Sequence, residues 1–173
     1  MDVIIEFGKI LLPAAAVLYG MYLVIKSFTQ QELGKLSMDL RNKNREVTLP
    51  IRLQAYERLC LFLERITPNN LVLRLNDSKF SAKQFQQVLL KEVREEYNHN
   101  LSQQVYVSDH SWTLLKKAME EVIALINQSA TGMTEDAKSV DLAKRVFERV
   151  VEQNVDPTSV ALTEIKNEAR KLF

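Results

Sequence analysis

Residues 91–112, KEVREEYNHNLSQQVYVSDHSW, hold the side chains best suited to chemistry in this chain: both histidines, His99 and His110, and the only tryptophan, Trp112. Glu96 and His99 stand three apart, so a helix projects both from one face, the spacing used by carboxylate-bridged metal centres in helical bundles. A dinuclear centre of that kind needs a second Glu-x-x-His and two further inward glutamates. His110 has Val107 three residues before it, so the second half is absent. A mononuclear site built from His99, His110 and neighbouring carboxylates stays open on geometry. However, Phe85, Leu89, Val93 and Tyr97 mark the buried face of the same helix, and Glu96 and His99 flank that face. The expectation is no metal and no cofactor, with Glu96 and His99 as weak ligand candidates.

Other chemistries have less to work with. Cys60 lies among Leu59, Leu61 and Leu63, the setting of a buried, inert thiol. No glycine-rich loop opens a helix to cradle phosphate, and no Gly-x-Ser-x-Gly or paired-cysteine spacing occurs. No catalytic constellation results, and no small-molecule substrate is identified. The enzymatic alternative is an unrecognised site around Glu95, Glu96, His99 and His110. The leading expectation is instead protein contact, with a partner or with a second copy. Its surface would include Gln103, Gln104, Tyr106, Asp109 and His110, because irregular segments between helices often carry recognition.

The elements that position these residues read as helices. Only four glycines and four prolines interrupt the chain, which favours long helices over a many-turned β fold. Thr48 can cap a helix with Pro50 in its first turn, placing Leu53, Tyr56, Leu59, Cys60, Leu63 and Ile66 on one side. Thr67-Pro68-Asn69-Asn70 stops it, and Leu71–Leu75 fits a strand or a helical turn equally. Ser81 and Gln84 have capping-box spacing before Phe85, Val88, Leu89, Val93, Tyr97 and Leu101. Ser108 or Asp109 caps the next helix, with Trp112, Leu115, Met119, Val122, Ile123 and Ile126 inward and Gly132 as its stop. A connector over 131–139 leads to a helix whose apolar side holds Val140, Ala143, Phe147, Val150 and Val151. Asp156-Pro157 opens a last one along Ala161, Ile165, Ala169 and Leu172.

The amino-terminal stretch has a different character. Residues 10–25, ILLPAAAVLYGMYLVI, carry no charge. Extended back to Val3, the helix adds only Glu6 and Lys9 and would reach about 34 Å, against a hydrocarbon core of about 30 Å. Lys9, Tyr22 and Lys26 then flank a single transmembrane span. A cleaved signal peptide fits less well, because Asp2 and Glu6 precede the apolar run and no small-x-small site follows it. A soluble protein with this helix buried is the other alternative. Lys26, Lys35, Arg41, Lys43 and Arg45 follow the run while Lys9 alone precedes it, which places the amino terminus outside and the rest in the cytoplasm. With 23 Lys and Arg against 22 Asp and Glu there is no global pull toward nucleic acid, but the basic stretch after the span would favour anionic lipid.

The segments LPIRLQAYERLCLFLERITPNNLVLRL and EYNHNLSQQVYVSDHSW resemble a family of uncharacterised single-pass membrane proteins of Bacteroidetes-type bacteria. The resemblance runs from the anchor through about residue 130. It implies placement in the bacterial inner membrane and carries no functional residues over. The expected protein is all-α, with an anchor over 1–27, a juxtamembrane helical stalk over 28–47 and a cytoplasmic domain of about five amphipathic helices over 48–173. Whether the last two helices pack on the others is left open by periodicity.

Overall fold

A computed structural model describes the backbone of residues 2–153 and 156–172, and the side chains of these except 2–14, 16, 37, 41, 42 and 153. All named elements are helices: α1 (Asp2–Ile66), α2 (Pro68–Leu75), α3 (Ala82–Asn100), a 3₁₀ helix (Leu101–Tyr106), α4 (Asp109–Ala130), α5 (Ser139–Gln153) and α6 (Ser159–Arg170). The fold class is all-α, as expected. The chain divides into two compact units, Met1–Thr48 and Leu49–Phe173.

The described residues of the first unit, 2–48, lie within α1. Its side chains from Val17 through Phe28 are exposed, as are Leu33, Leu36, Leu40 and Val47. Lys26 Nζ sits 5.9 Å from the centre of the Tyr22 ring, a cation–π contact at the end of the uncharged run. Among the described residues no helix is long and apolar enough to cross a membrane. The span expected over residues 3–25 draws most of its first half from residues 3–14 and 16, whose side chains lie outside those described. Lys9 is among them.

No cap interrupts the chain at Thr48: α1 is helical straight through Thr48 and Pro50 to Ile66. Proline removes one N–H from the ladder, but its fixed φ is itself helical, and no glycine or turn-forming pair adjoins it. The cap expected at Thr48 is therefore replaced by continuous helix.

In the second unit, Tyr56, Leu59, Phe62, Leu63 and Ile66 of α1 join a core with Leu71 and Val72 of α2, Phe85, Leu89 and Val93 of α3, and Leu115, Val122 and Ile126 of α4. Leu142 and Val146 of α5, with Ala161 and Ile165 of α6, complete it. α6 packs on α4, and α5 packs on both α3 and α4, so the last two helices belong to this core. α1 ends where expected, with the Thr67 hydroxyl donating to the Glu64 carbonyl at 2.8 Å. Pro68 then opens α2, which contains Leu71–Leu75 and resolves that segment as helix.

α3 carries the expected capping box. The Ser81 hydroxyl accepts from the Gln84 N–H at 3.2 Å, and Gln84 Oε1 accepts from the Ser81 N–H at 3.0 Å. α4 is capped by Ser108, and Gly132 follows its end at a φ of +73°, the left-handed region glycine enters freely. The loops before α3 and α5 clasp each other: Ala82 N–H donates to the Ala137 carbonyl at 2.8 Å and Ser139 N–H to the Phe80 carbonyl at 3.0 Å. This antiparallel bridge at Ser81 and Lys138 pairs α2–α3 with α4–α5 as two helix–loop–helix units.

Three expected core residues face outward. Leu101, Val140 and Val151 are exposed, because the buried side of α5 is centred on Leu142 and Val146 and Leu101 falls in the 3₁₀ turn beyond α3.

Candidate functional site

The Glu-x-x-His pair sits at the end of α3, and its two members meet different surroundings. Arg65 Nε of α1 lies 2.5 Å from Glu96 Oε1. That N–H is not aimed at the oxygen, so the contact is an ion pair rather than an aligned hydrogen bond. One turn earlier on α3, Glu92 Oε1 takes Arg74 Nη1 of α2 at 2.6 Å and stands 3.7 Å from Arg65 Nη2. Glu96 therefore belongs to a charge network joining three helices, while His99 is exposed. Glu95, also exposed, pairs with Lys91 at 3.7 Å on the outer side of α3. His110 lines a separate groove of about 490 Å³ with Leu114 of α4 and Ser159, Val160, Thr163 and Glu164 of α6. None of Glu95, Glu96 and His99 lines that groove. Among the described residues, no group of three or more His, Cys, Asp or Glu side chains is placed to hold a metal ion.

The polar segment between α3 and α4 is helical rather than an extended break: residues 101–106 form the 3₁₀ helix. Trp112, in the first turns of α4, stacks on Tyr97 with ring centres 5.7 Å apart, and Tyr97 in turn tilts against Phe62 at 6.2 Å. Of the expected contact residues, Gln104, Asp109 and His110 are exposed, and Gln103 and Tyr106 are half-buried. The Tyr106 carbonyl is turned to α1, where Arg52 Nε donates to it at 3.3 Å.

Beside that carbonyl lies the most connected polar group of the second unit, the carboxylate of Glu168 on α6. Glu168 Oε1 accepts from the Tyr56 hydroxyl at 2.9 Å and from the Ser108 N–H at 2.8 Å. Oε2 accepts from the Ser108 hydroxyl at 2.8 Å and from the Ser111 hydroxyl. Arg52 Nη2 donates to the same Tyr56 oxygen at 3.0 Å. One carboxylate thus ties α1, the cap of α4 and α6 together, at a place where Tyr56 and Ser111 are buried.

The electrostatics follow from these partners. Burial alone would raise the Glu168 carboxyl, but donors from Ser111, Ser108, Tyr56 and the Ser108 backbone outweigh it and hold the group below its ordinary value of 4.5. Burial raises Tyr56, and the Glu168 carboxylate raises it further, against the lowering effect of Arg52. Cys60 is half-buried and its thiol is raised, first by burial, so it is a poor nucleophile. A carboxylate with four donors on its two oxygens is committed as an acceptor and is not poised to shuttle protons. The arrangement is a clasp.

A depressed carboxylate has a definite sign in linkage. Its contribution to stability is present above the unfolded value of 4.5 and is lost as pH falls through the lower folded value. Urea unfolding should therefore show a larger drop between neutral pH and about pH 3 for the native chain than for Glu168→Gln, which has nothing to titrate there. Equal drops would show that Glu168 is not so held.

Glu168, Ser108, Ser111 and Arg52 were not legible as a cluster. The local signals are the spacing of Ser108 and Ser111, a cap whose hydroxyl meets the N–H three residues on at 3.2 Å, and the place of Glu168 three residues after Ile165. The chain matches the model of a family of unknown function, DUF7935, over residues 2–172, so the match extends past residue 130 through the last two helices. No curated protein and no solved structure matches it.

Proposed function

Because this chain belongs to DUF7935, a family of unknown function, its role has to be read from its own surfaces, and we propose that it is a helical protein-interaction module tethered to a lipid bilayer through its first helix. The observation that carries this reading is the surface of α1 between Val17 and Phe28. Val17, Leu18, Tyr19, Met21, Tyr22, Leu23, Val24, Ile25 and Phe28 are each at least 46% exposed. At 100° per residue these positions circle the helix and leave no polar face. A stripe can be covered by one neighbouring helix, but a helix apolar all round needs an apolar solvent or burial on every side. The uncharged run back to Ile10 gives such a helix the length to enter a bilayer.

The charges around the run support an orientation. Five basic residues from Lys26 to Arg45 follow it and Lys9 alone precedes it, favouring an outside amino terminus and a cytoplasmic second unit in a bacterial inner membrane. The Lys26–Tyr22 contact suits the interface, where an ammonium and an aromatic ring both reach headgroup level. The second unit would then act by binding protein, through faces that its own core leaves uncovered.

Alkaline carbonate and high-salt extraction of membranes test the tether. The full chain is expected to stay in the pellet and to be released only by detergent, and a chain lacking residues 2–27 to move to the supernatant. Release of the full chain by carbonate would rule the span out.

A further inference from the structure

We infer that the exposed face of α5 is a self-association surface, pairing antiparallel with α5 of a second copy of this chain about a two-fold axis. The inference deepens the reading of the protein as an interaction module, and it names the partner.

Val140 is 53% exposed and Val151 76%, on one side of α5, with half-buried Phe147 between them. These three and Ala143 line an open groove of about 780 Å³, together with Asn76, Lys144, Glu148 and Glu152. Lys144 and Glu148 are largely exposed and stand 4.0 Å apart on their own helix. An occupant must bring apolar side chains to the stripe, an anion to Lys144 and a cation to Glu148.

A second α5 does this in one orientation. With a two-fold axis at the level of Val146, residues whose numbers are symmetric about 146 face each other. Lys144 then meets Glu148 of the other copy, and Val140 comes within one residue of level with Val151, the nearest apolar side chain on that face, each contact occurring twice. The own-helix pair and the cross pair together make a ring of alternating charge. A parallel pairing instead puts the Lys144–Glu148 pairs of the two copies on opposite edges of the seam, where neither meets an opposite charge. The antiparallel face is self-complementary, the property an isologous two-fold interface requires and one that closes at two copies. A single helix face is smaller than the roughly 800 Å² per partner of a standard interface, so the pairing is weak in dilute solution. Confinement to a bilayer would raise the effective concentration and populate the pair.

The test is a charge swap in the full chain, read by analytical ultracentrifugation in detergent micelles. Native protein is expected to be in monomer–dimer exchange. Lys144→Glu and Glu148→Lys should each weaken dimerisation about tenfold or more, since each sets like charges together at both symmetric positions. The double swap should return within about threefold of native, and an equimolar mixture of the two single variants should form heterodimers. Val151→Asp should abolish dimerisation without changing the thermal melt, because Val151 is exposed in the monomer.

A strictly monomeric native protein would overturn the inference, as would a dimer indifferent to the single swaps or a double swap as weak as either single. So would a monomer that, in membranes, crosslinks from position 151 to a foreign protein. Carbonate extraction separates this from the tether: released protein that dimerises through this face loses the tether and keeps the interface, and retained monomeric protein does the reverse.

Discussion

Glu168→Ala is expected to destabilise the second unit by about 2–4 kcal/mol, more than any other single polar substitution on its surface. The carboxylate is the acceptor for the Tyr56, Ser108 and Ser111 hydroxyls and for the Ser108 N–H. Hydrogen bonds to a charged group contribute about 1.5–3 kcal/mol each, but they share one acceptor and do not add. The larger effect comes from what remains: the Ser111 hydroxyl is fully buried and loses its acceptor, and the buried Tyr56 hydroxyl keeps only the Tyr106 carbonyl at 3.4 Å. Glu168→Gln should recover little, because its amide would turn an N–H₂ toward groups that donate. Ser111→Ala on top of Glu168→Ala should cost less than the sum, since the first change already removed its partner. Urea unfolding with Glu57→Ala as an exposed reference decides the matter. A Glu168→Ala midpoint no lower than that of the reference would dismiss the clasp.

Phe85→Ala is expected to have a still larger effect, about 3–5 kcal/mol. Phe85 is fully buried within the cluster that joins α1, α3, α4 and α5. Its backbone N–H reaches the Ser81 carbonyl at 2.9 Å, inside the capped first turn and beside the bridge that clasps the two helix–loop–helix units. A void there deprives facing helices of contact at once, and the cap and the bridge hold the backbone from closing over it. Val88→Ala, half-buried on the same helix, should cost about 1 kcal/mol by comparison. Thermal melts followed by circular dichroism should order native, Val88→Ala and Phe85→Ala in that sequence. A Phe85→Ala melt no lower than that of Val88→Ala would mean that α3 repacks freely, contrary to a shared core.

The two variants also separate kinds of information in the chain. The Ser81–Gln84 box was legible because both of its hydrogen bonds close within four residues, so residue types and spacing specify them completely. The inward faces of α3 and α4 were legible for a similar reason: Phe85, Leu89 and Val93, or Leu115, Val122 and Ile126, recur with the helical period. Periodicity had less to say about Leu71–Leu75, where five residues span little more than one turn, and only packing against α3 and α5 makes them helix. It misplaced Val140 and Val151 because they share a face of α5 that is apolar, yet the core took the neighbouring face with Leu142 and Val146. Apolar character marks a face as needing cover without saying whether the cover comes from the same chain.

Polar groups divide along the same line. Spacing put Glu96 and His99 on one helix face, and their fates diverged because Arg65 of α1 reaches Glu96 and His99 stays exposed. Glu168 stands seven residues after Ala161 and three after Ile165, on the inward side of α6, yet the sequence does not say what it meets there. Its role comes from donors on α1 and α4 that only folding brings to it. By itself the sequence determined the all-α class, the caps of α3 and α4, most of the inward faces and the uncharged run of the first helix, because these depend on neighbours within a turn or two. Tertiary structure alone decided which apolar faces stay uncovered and that one carboxylate on α6 clasps α1 to the cap of α4. Those outcomes are set by contacts between residues far apart in the chain, where local spacing carries no record of the partner.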